Sequence, residues 1–214
     1  MHYRSRYKKL LTPLFFCSVL LACDQKTKPA NNEVTINPAP TPGTQAEKFA
    51  SLGMDKSPMD MSYYPVDYPK LKMSGNIKEP LIARVIYSRP QKDGRMIFGQ
   101  VLKYGAIWRL GANEATEIEF FKNVTINNQK VAKGRYVLYC IPFQDKWTLV
   151  LNGDLFVWGL KIDTTKDAYK FEIPISNAHS PLEVFTMDFQ KTEQGMQLDM
   201  GWDSVRAALP IKYQ

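Results

Sequence analysis

Histidine, cysteine and long apolar runs are what this sequence has least of, and each scarcity removes a class of function. Only His2 and His179 occur among the histidines, and only Cys17, Cys23 and Cys140 among the cysteines. No His/Cys/Asp cluster has zinc-ligand spacing, no Gly-x-Ser-x-Gly elbow is present, and no glycine-rich phosphate cradle opens a helix. The chain is therefore expected to carry no metal and no cofactor, and nucleophilic hydrolysis has no support. The longest apolar run, Leu10 to Ala22, is interrupted by Thr12, Pro13 and Ser18. It is too short for a helix that must cross ~30 Å of hydrocarbon, which takes about twenty residues.

That short run has a different use. Arg4, Arg6, Lys8 and Lys9 precede it without any acid, and Leu20-Leu21-Ala22-Cys23 closes it. A charged region, an apolar region and a small residue before a cysteine are the parts of a lipoprotein leader cut before Cys23, with the thiol then lipidated. The expected address is the cell envelope, at an outer-membrane or periplasmic face, with the membrane as partner through Cys23. Cleavage would leave 24 basic side chains against 21 acidic ones, taking the net charge from +7 to +3. No basic stripe of the kind nucleic acid requires survives in the mature chain.

Cysteine use follows from the same cut. Cys17 leaves with the leader and Cys23 carries the lipid, so Cys140 has no intramolecular partner. It lies in the apolar segment Tyr136–Ile141 with no histidine near it in sequence, which marks a buried, inert thiol. A mature chain of this length can supply a core without disulfides.

Three domains of organisation are expected: a leader over residues 1–22, a lipidated tether over residues 23–56 and one folded domain over residues 57–214. Asp24 to Thr44 is rich in Pro, Asn, Thr and Lys, a composition that cannot bury enough apolar surface to offset chain entropy. A short helix is expected over residues 45–53. The Met-, Tyr- and Pro-rich stretch from Met54 to Met73 predicts extended or irregular backbone.

After Asn76 the chain turns to short β-branched and aromatic runs separated by turn signals such as Asp93-Gly94, Asn127-Asn128 and Asn152-Gly153-Asp154. Ten strands are predicted: 81–87, 96–102, 106–110, 116–122, 135–141, 147–151, 156–160, 169–175, 183–189 and 197–202. Alternation assigns Ile118 and Phe120, Phe171 and Ile173, and Phe185, Met187 and Phe189 to a buried face. The predicted fold class is all-β, an antiparallel β-sandwich of jelly-roll type with one wet face on each sheet. Pro174 places its strand at an edge or beside a bulge.

One region is richer in chemistry than sandwich strands need. Tyr87-Ser88-Arg89-Pro90, Gly94-Arg95, Tyr104-Gly105 and Trp108-Arg109-Leu110-Gly111-Ala112-Asn113-Glu114-Ala115-Thr116 gather Arg, Trp, Asn, Glu and Gly. These segments, with Gly134-Arg135-Tyr136, Trp158-Gly159 and Phe185-Thr186 further on, resemble the domain-of-unknown-function 2911 family, common in Bacteroidetes, over roughly residues 57–213. The resemblance implies a β-rich domain and brings no established activity. Leu110 stands where many members have threonine.

The residues themselves leave two readings open. In one, Arg109 and Glu114 form a structural ion pair across the Gly-Ala-Asn turn. In the other, Arg89, Arg95 and Arg109 make a fork-shaped anchor for a carboxylate or phosphate, with Trp108 or Tyr104 as a platform and Asn113 and Glu114 at the mouth. Trp108 and Trp158 could equally be core. The leading expectation is a non-catalytic binding module for a small anionic ligand, a glycan or an envelope protein partner. The alternatives are an enzyme using Glu114 with Arg109, drawing on Glu117, Asp154 or Asp163 as a second carboxylate, and a structural component of an outer-membrane complex.

Overall fold

The computed structural model describes residues 55–213. The leader, Cys23, the Pro/Asn/Thr-rich segment and the helix expected over residues 45–53 lie outside them. Among the described residues nine strands form, all paired antiparallel: β1 (Met59–Tyr64), β2 (Ala83–Ser88), β3 (Glu117–Phe120), β4 (Val124–Ile126), β5 (Gln129–Val131), β6 (Gly134–Pro142), β7 (Lys146–Asn152), β8 (Asp167–Thr192) and β9 (Gly195–Tyr213). A short helix, α1 (Tyr68–Met73), joins β1 to β2, and a 3₁₀ turn (Thr164–Lys166) leads into β8. The strand order is β1-β2-β3-β6-β7-β8-β9-β4-β5. The all-β antiparallel class expected from the alternation is the class observed.

The two longest strands fold this sheet over. Up to Pro174, β8 pairs with β7; from Ile175 it pairs with β9 instead. Proline has no N–H to give a ladder, so it stands where the strand changes partner. Register shifts between Asn177 and Leu182 and between Leu182 and Thr186 bend β8 further. Its far half thereby meets β1 and β2. Ser62 Oγ donates to the Asp188 carboxylate at 2.8 Å and accepts from Phe189 N at 3.1 Å. One hydrogen-bonded sheet therefore supplies both layers around a single core that includes Phe120, Leu138, Trp147, Phe171, Phe185 and Leu198.

Local chemistry explains most boundaries. In β3, Ile118 and Phe120 are buried while Glu117 and Glu119 turn outward, Glu119 to Arg84 at 2.7 Å and Glu117 to Arg135 at 3.6 Å. The β4–β5 hairpin turns on Asn127 (φ 47°) and Asn128 (φ 63°), the two successive left-handed residues that a type I′ turn demands and asparagine tolerates. Phe171, Ile173, Phe185, Met187 and Phe189 are buried as alternation requires. The segments read as 169–175, 183–189 and 197–202 belong to β8 and β9, which run well past them.

Three predicted strands are absent. Residues 96–102, 106–110 and 156–160 hold only isolated bridges, Phe98 to Leu102, Trp108 to Cys140 and Trp158 to Glu114. Left-handed residues interrupt each: Gly99 (φ 88°), Leu110 (φ 52°) and Phe156 (φ 61°) cannot continue an extended chain. Conversely, the irregular-looking stretch after Pro58 supplies edge strand β1, which ends before Pro65.

Candidate functional site

The arginines of the chemistry-rich region have separate fates. Arg89 is fully engaged: Nη1 meets the Asp60 carboxylate at 3.0 Å, Nη2 donates to Thr186 Oγ1 at 3.0 Å, and Nε donates to the Phe185 carbonyl at 3.3 Å. Beside it, Tyr87 OH accepts from Met187 N at 2.9 Å and donates to Met187 O at 3.0 Å. Burial of that phenol pushes its pKa up to about 12. Phe185 N donates to Pro90 O, and Lys92 N to Glu183 O. The Tyr-Ser-Arg-Pro segment thus stitches β2 to β8, occupying backbone groups that no neighbouring strand pairs. Arg95, exposed, donates to the carbonyls of Gln91 and Lys92 and closes its own turn. The three arginines expected to share one ligand are not gathered on one.

Trp108 is core. It is 4 % exposed and lies between Phe98, Trp147, Phe185 and Trp202, with ring centroids 4.9–6.1 Å away. Its Nε1 donates to Gly111 O at 3.3 Å, and Thr116 Oγ1 donates to Leu110 O at 2.6 Å, so the loop that follows is tied at both ends. Gly111 is required for closeness: a Cβ there would lie 3.0 Å from Ser88 O. These ties leave Asn113 (φ 59°) and Glu114 exposed at the loop's apex.

Among the described residues Arg109 is the one arginine with covered nitrogens that lack an acceptor. Its stem runs beneath Gly159, where an added Cβ would fall 2.4 Å from Arg109 Cδ and 3.0 Å from Glu114 O. Its Nε and Nη1 are both out of solvent contact and have no acceptor among the described residues. Burial lowers its pKa from the ordinary guanidinium value. The ion pair with Glu114 is not formed; Glu114 instead pairs through its backbone with Trp158. Trp147 Nε1 is likewise covered and without a partner, but a neutral indole loses far less on desolvation than a cation does.

A cleft of about 420 Å³ opens beside this loop, between Met59, Ile86, Glu114, Glu117, Phe156 and Trp158. Its outer wall is the 153–163 loop, which is rooted firmly. Buried Asn152 donates to Asp163 O at 2.9 Å and to Asp167 Oδ1 at 2.8 Å. The four carboxylates weighed for acid–base work fall into two groups. Glu114 and Glu117 share the cleft, whereas Asp154 pairs with Lys166, and Asp163 caps the 3₁₀ turn by accepting from Thr165. The Thr165 hydrogen bonds hold the Asp163 carboxyl below its usual range. Among the described residues no group of three or more His, Cys, Asp or Glu side chains is placed to hold a metal.

Residues 69–211 match the family model described as a protein of unknown function, DUF2911. The chain belongs to the DUF2911 family. No curated protein and no solved structure matches the chain. In this DUF2911 member, Tyr87, Ser88, Arg89, Trp108, Gly111 and Thr116 act on the fold, and Arg109, Asn113 and Glu114 are left over from that work. Sequence reasoning did not single out Trp158 and Gly159 as site residues. The signal for Gly159 was only its adjacency to Trp158, because its role depends on a loop more than forty positions away.

Cys140 is buried and unpaired with a disulfide, and burial raises its thiol well above the ordinary value. A thiol in that state is not a nucleophile.

Proposed function

We infer that this DUF2911 protein is a lipid-tethered, non-catalytic binding module of the cell envelope, and that its ligand presents a carboxylate or phosphate to Arg109. The observation that carries this reading is the guanidinium with two covered N–H-bearing nitrogens and no acceptor. A buried donor left unpaired costs roughly 1–3 kcal/mol, and more when charged. An anion supplies the missing acceptors and the countercharge together, and guanidinium geometry suits both oxygens of such a group. Arg109 does not itself line the neighbouring cleft, and the Glu114 and Glu117 carboxylates there would disfavour a ligand with negative charge beyond the group that meets Arg109.

Arg109 is half-buried, and only its Nε and Nη1 are covered, so an anion approaches the guanidinium from the solvent side. Glu114 is exposed, and the neighbouring Glu117 faces Arg135 at 3.6 Å. An exposed carboxylate beside one that faces an arginine favours binding over catalysis.

Thermal-shift measurement of the mature chain against inorganic phosphate, acetate and acidic envelope glycans tests the reading, since a ligand of the native state raises the midpoint. Arg109→Met should abolish the rise while the variant stays folded. An unchanged rise in that variant, or no rise with any anion, would overturn the proposal. Palmitate labelling tests the tether separately: wild type should take label and Cys23→Ala should not.

A further inference from the structure

The 153–163 loop carries three large apolar side chains into solvent at alternate positions. Phe156 is 82 % exposed, Trp158 47 % and Leu160 74 %, while Gly159 between them is buried against Arg109 and the Glu114 backbone. Single exposed hydrophobes are ordinary on a protein surface. Three within five residues, on a loop rooted by the Asn152 hydrogen bonds, are not. Phe156 also adopts a left-handed backbone (φ 61°), which a bulky residue does not favour. No core contact compensates for that conformation by hiding its ring. Lys161 follows at once, and its backbone N–H donates to Trp158 O at 2.7 Å, closing a tight turn.

The loop lies close to where the described chain begins. Met59, the first residue of β1 and itself 50 % exposed, lines the same cleft as Phe156 and Trp158. The described chain begins only four positions earlier, at Asp55. The described chain therefore enters β1 beside the apolar loop. Thirty-two positions separate Cys23 from Asp55. A flexible tether of that length would span roughly 30 Å on average, about the thickness of a hydrocarbon core.

We propose that the Phe156–Lys161 turn is a second membrane contact, in which Phe156, Trp158 and Leu160 enter the interfacial layer of the bilayer that holds Cys23. The composition fits that occupant. Tryptophan and phenylalanine settle at the headgroup level, leucine reaches the acyl boundary, and a flanking lysine keeps its ammonium among phosphates. A weak insertion suffices, because the tether keeps the loop at high local concentration next to the surface. The proposal rests on the lipid-tether reading for the orientation of the domain.

Trp158 is the reporter. The protein has four tryptophans, and Trp108, Trp147 and Trp202 are all buried, so membrane contact changes the environment of Trp158 alone. The full lipidated protein is incorporated into vesicles of phosphatidylethanolamine and phosphatidylglycerol with brominated acyl chains. The expected result is a blue shift and quenching of one emission component, absent in Trp158→Phe. In Phe156→Ser/Leu160→Ser, whose positions face solvent, quenching should fall to less than half with unchanged circular dichroism. Wild-type emission indifferent to bromination, or quenching of full size in the double-serine variant, would overturn the proposal. So would concentration-dependent self-association removed by the same two substitutions, because it would assign the loop to a second copy. If wild type takes no palmitate, the tether reading fails on its own; quenching of the unlipidated full chain then still decides the loop.

Discussion

Arg89 and Arg109 lie twenty positions apart in one motif-rich stretch and receive opposite treatment from the fold. Arg89 has an acceptor for each of its three nitrogens, drawn from Asp60, Thr186 and Phe185. Arg109, under Gly159, has none for its two covered nitrogens. The same residue type is a fastener where β1, β2 and β8 meet and a free charge where two loops meet. Satisfied hydrogen bonds mark the parts of this motif that hold the fold together. The orphaned Arg109 donors are the ones the proposed anion would satisfy.

The largest expected effect lies at Trp108. If it is core, Trp108→Ala removes the centre of the aromatic cluster and costs about 3–5 kcal/mol in urea unfolding. A loss of ligand response without that loss of stability would restore it as a binding platform. The arginine pair sharpens the contrast next. Arg89→Ala strands the Asp60 carboxylate and the Phe185 carbonyl and should cost about 1–3 kcal/mol. Arg109→Met keeps the packed stem and removes a desolvated charge, so its stability should stay within about 0.5 kcal/mol of wild type or rise.

Acidity offers a smaller effect on the opposite layer. Burial, with the charge of Asp188 directly across the β8–β9 ladder, raises the pKa of half-buried Asp199 against the hydrogen bond it accepts from Gln197. A carboxyl with a raised folded-state pKa contributes stability that is complete below its unfolded value, about 3.9. That contribution is lost as pH rises through the folded value. Asp199→Asn should therefore raise the melting midpoint at pH 7 and leave it unchanged near pH 3. A pH-independent difference would show that the effect is packing. The smallest expected effect is none: maleimide should not modify Cys140 until denaturant is added, and rapid native labelling would contradict its burial.

Much of the fold was legible because it rests on local rules. Alternation placed Ile118, Phe171 and Phe185 inward, and Asn127-Asn128 marked a turn whose flanking strands were too short to notice. The misread segments share one cause. Phe156–Leu160 alternates like a strand, but the left-handed Phe156 turns it into a loop whose alternate side chains face solvent. At the site, sequence located the chemistry-rich stretch and could not apportion it. Arg89 is claimed by Asp60, 29 positions away, and by Thr186, 97 away. Arg109 is covered by Gly159 from a different loop. Which arginine is spent depends on long-range pairing, and that is not written in spacing.

The claim that Arg109 is the anion-binding group is tested most directly by its own Nε–H resonance, assigned by its absence in Arg109→Met and followed as phosphate is titrated into the mature protein. A saturable downfield shift is expected at Arg109 while the Arg89 resonance, already bonded, stays in place. A titration that moves Arg89 and leaves Arg109 unchanged, or moves neither, would contradict it.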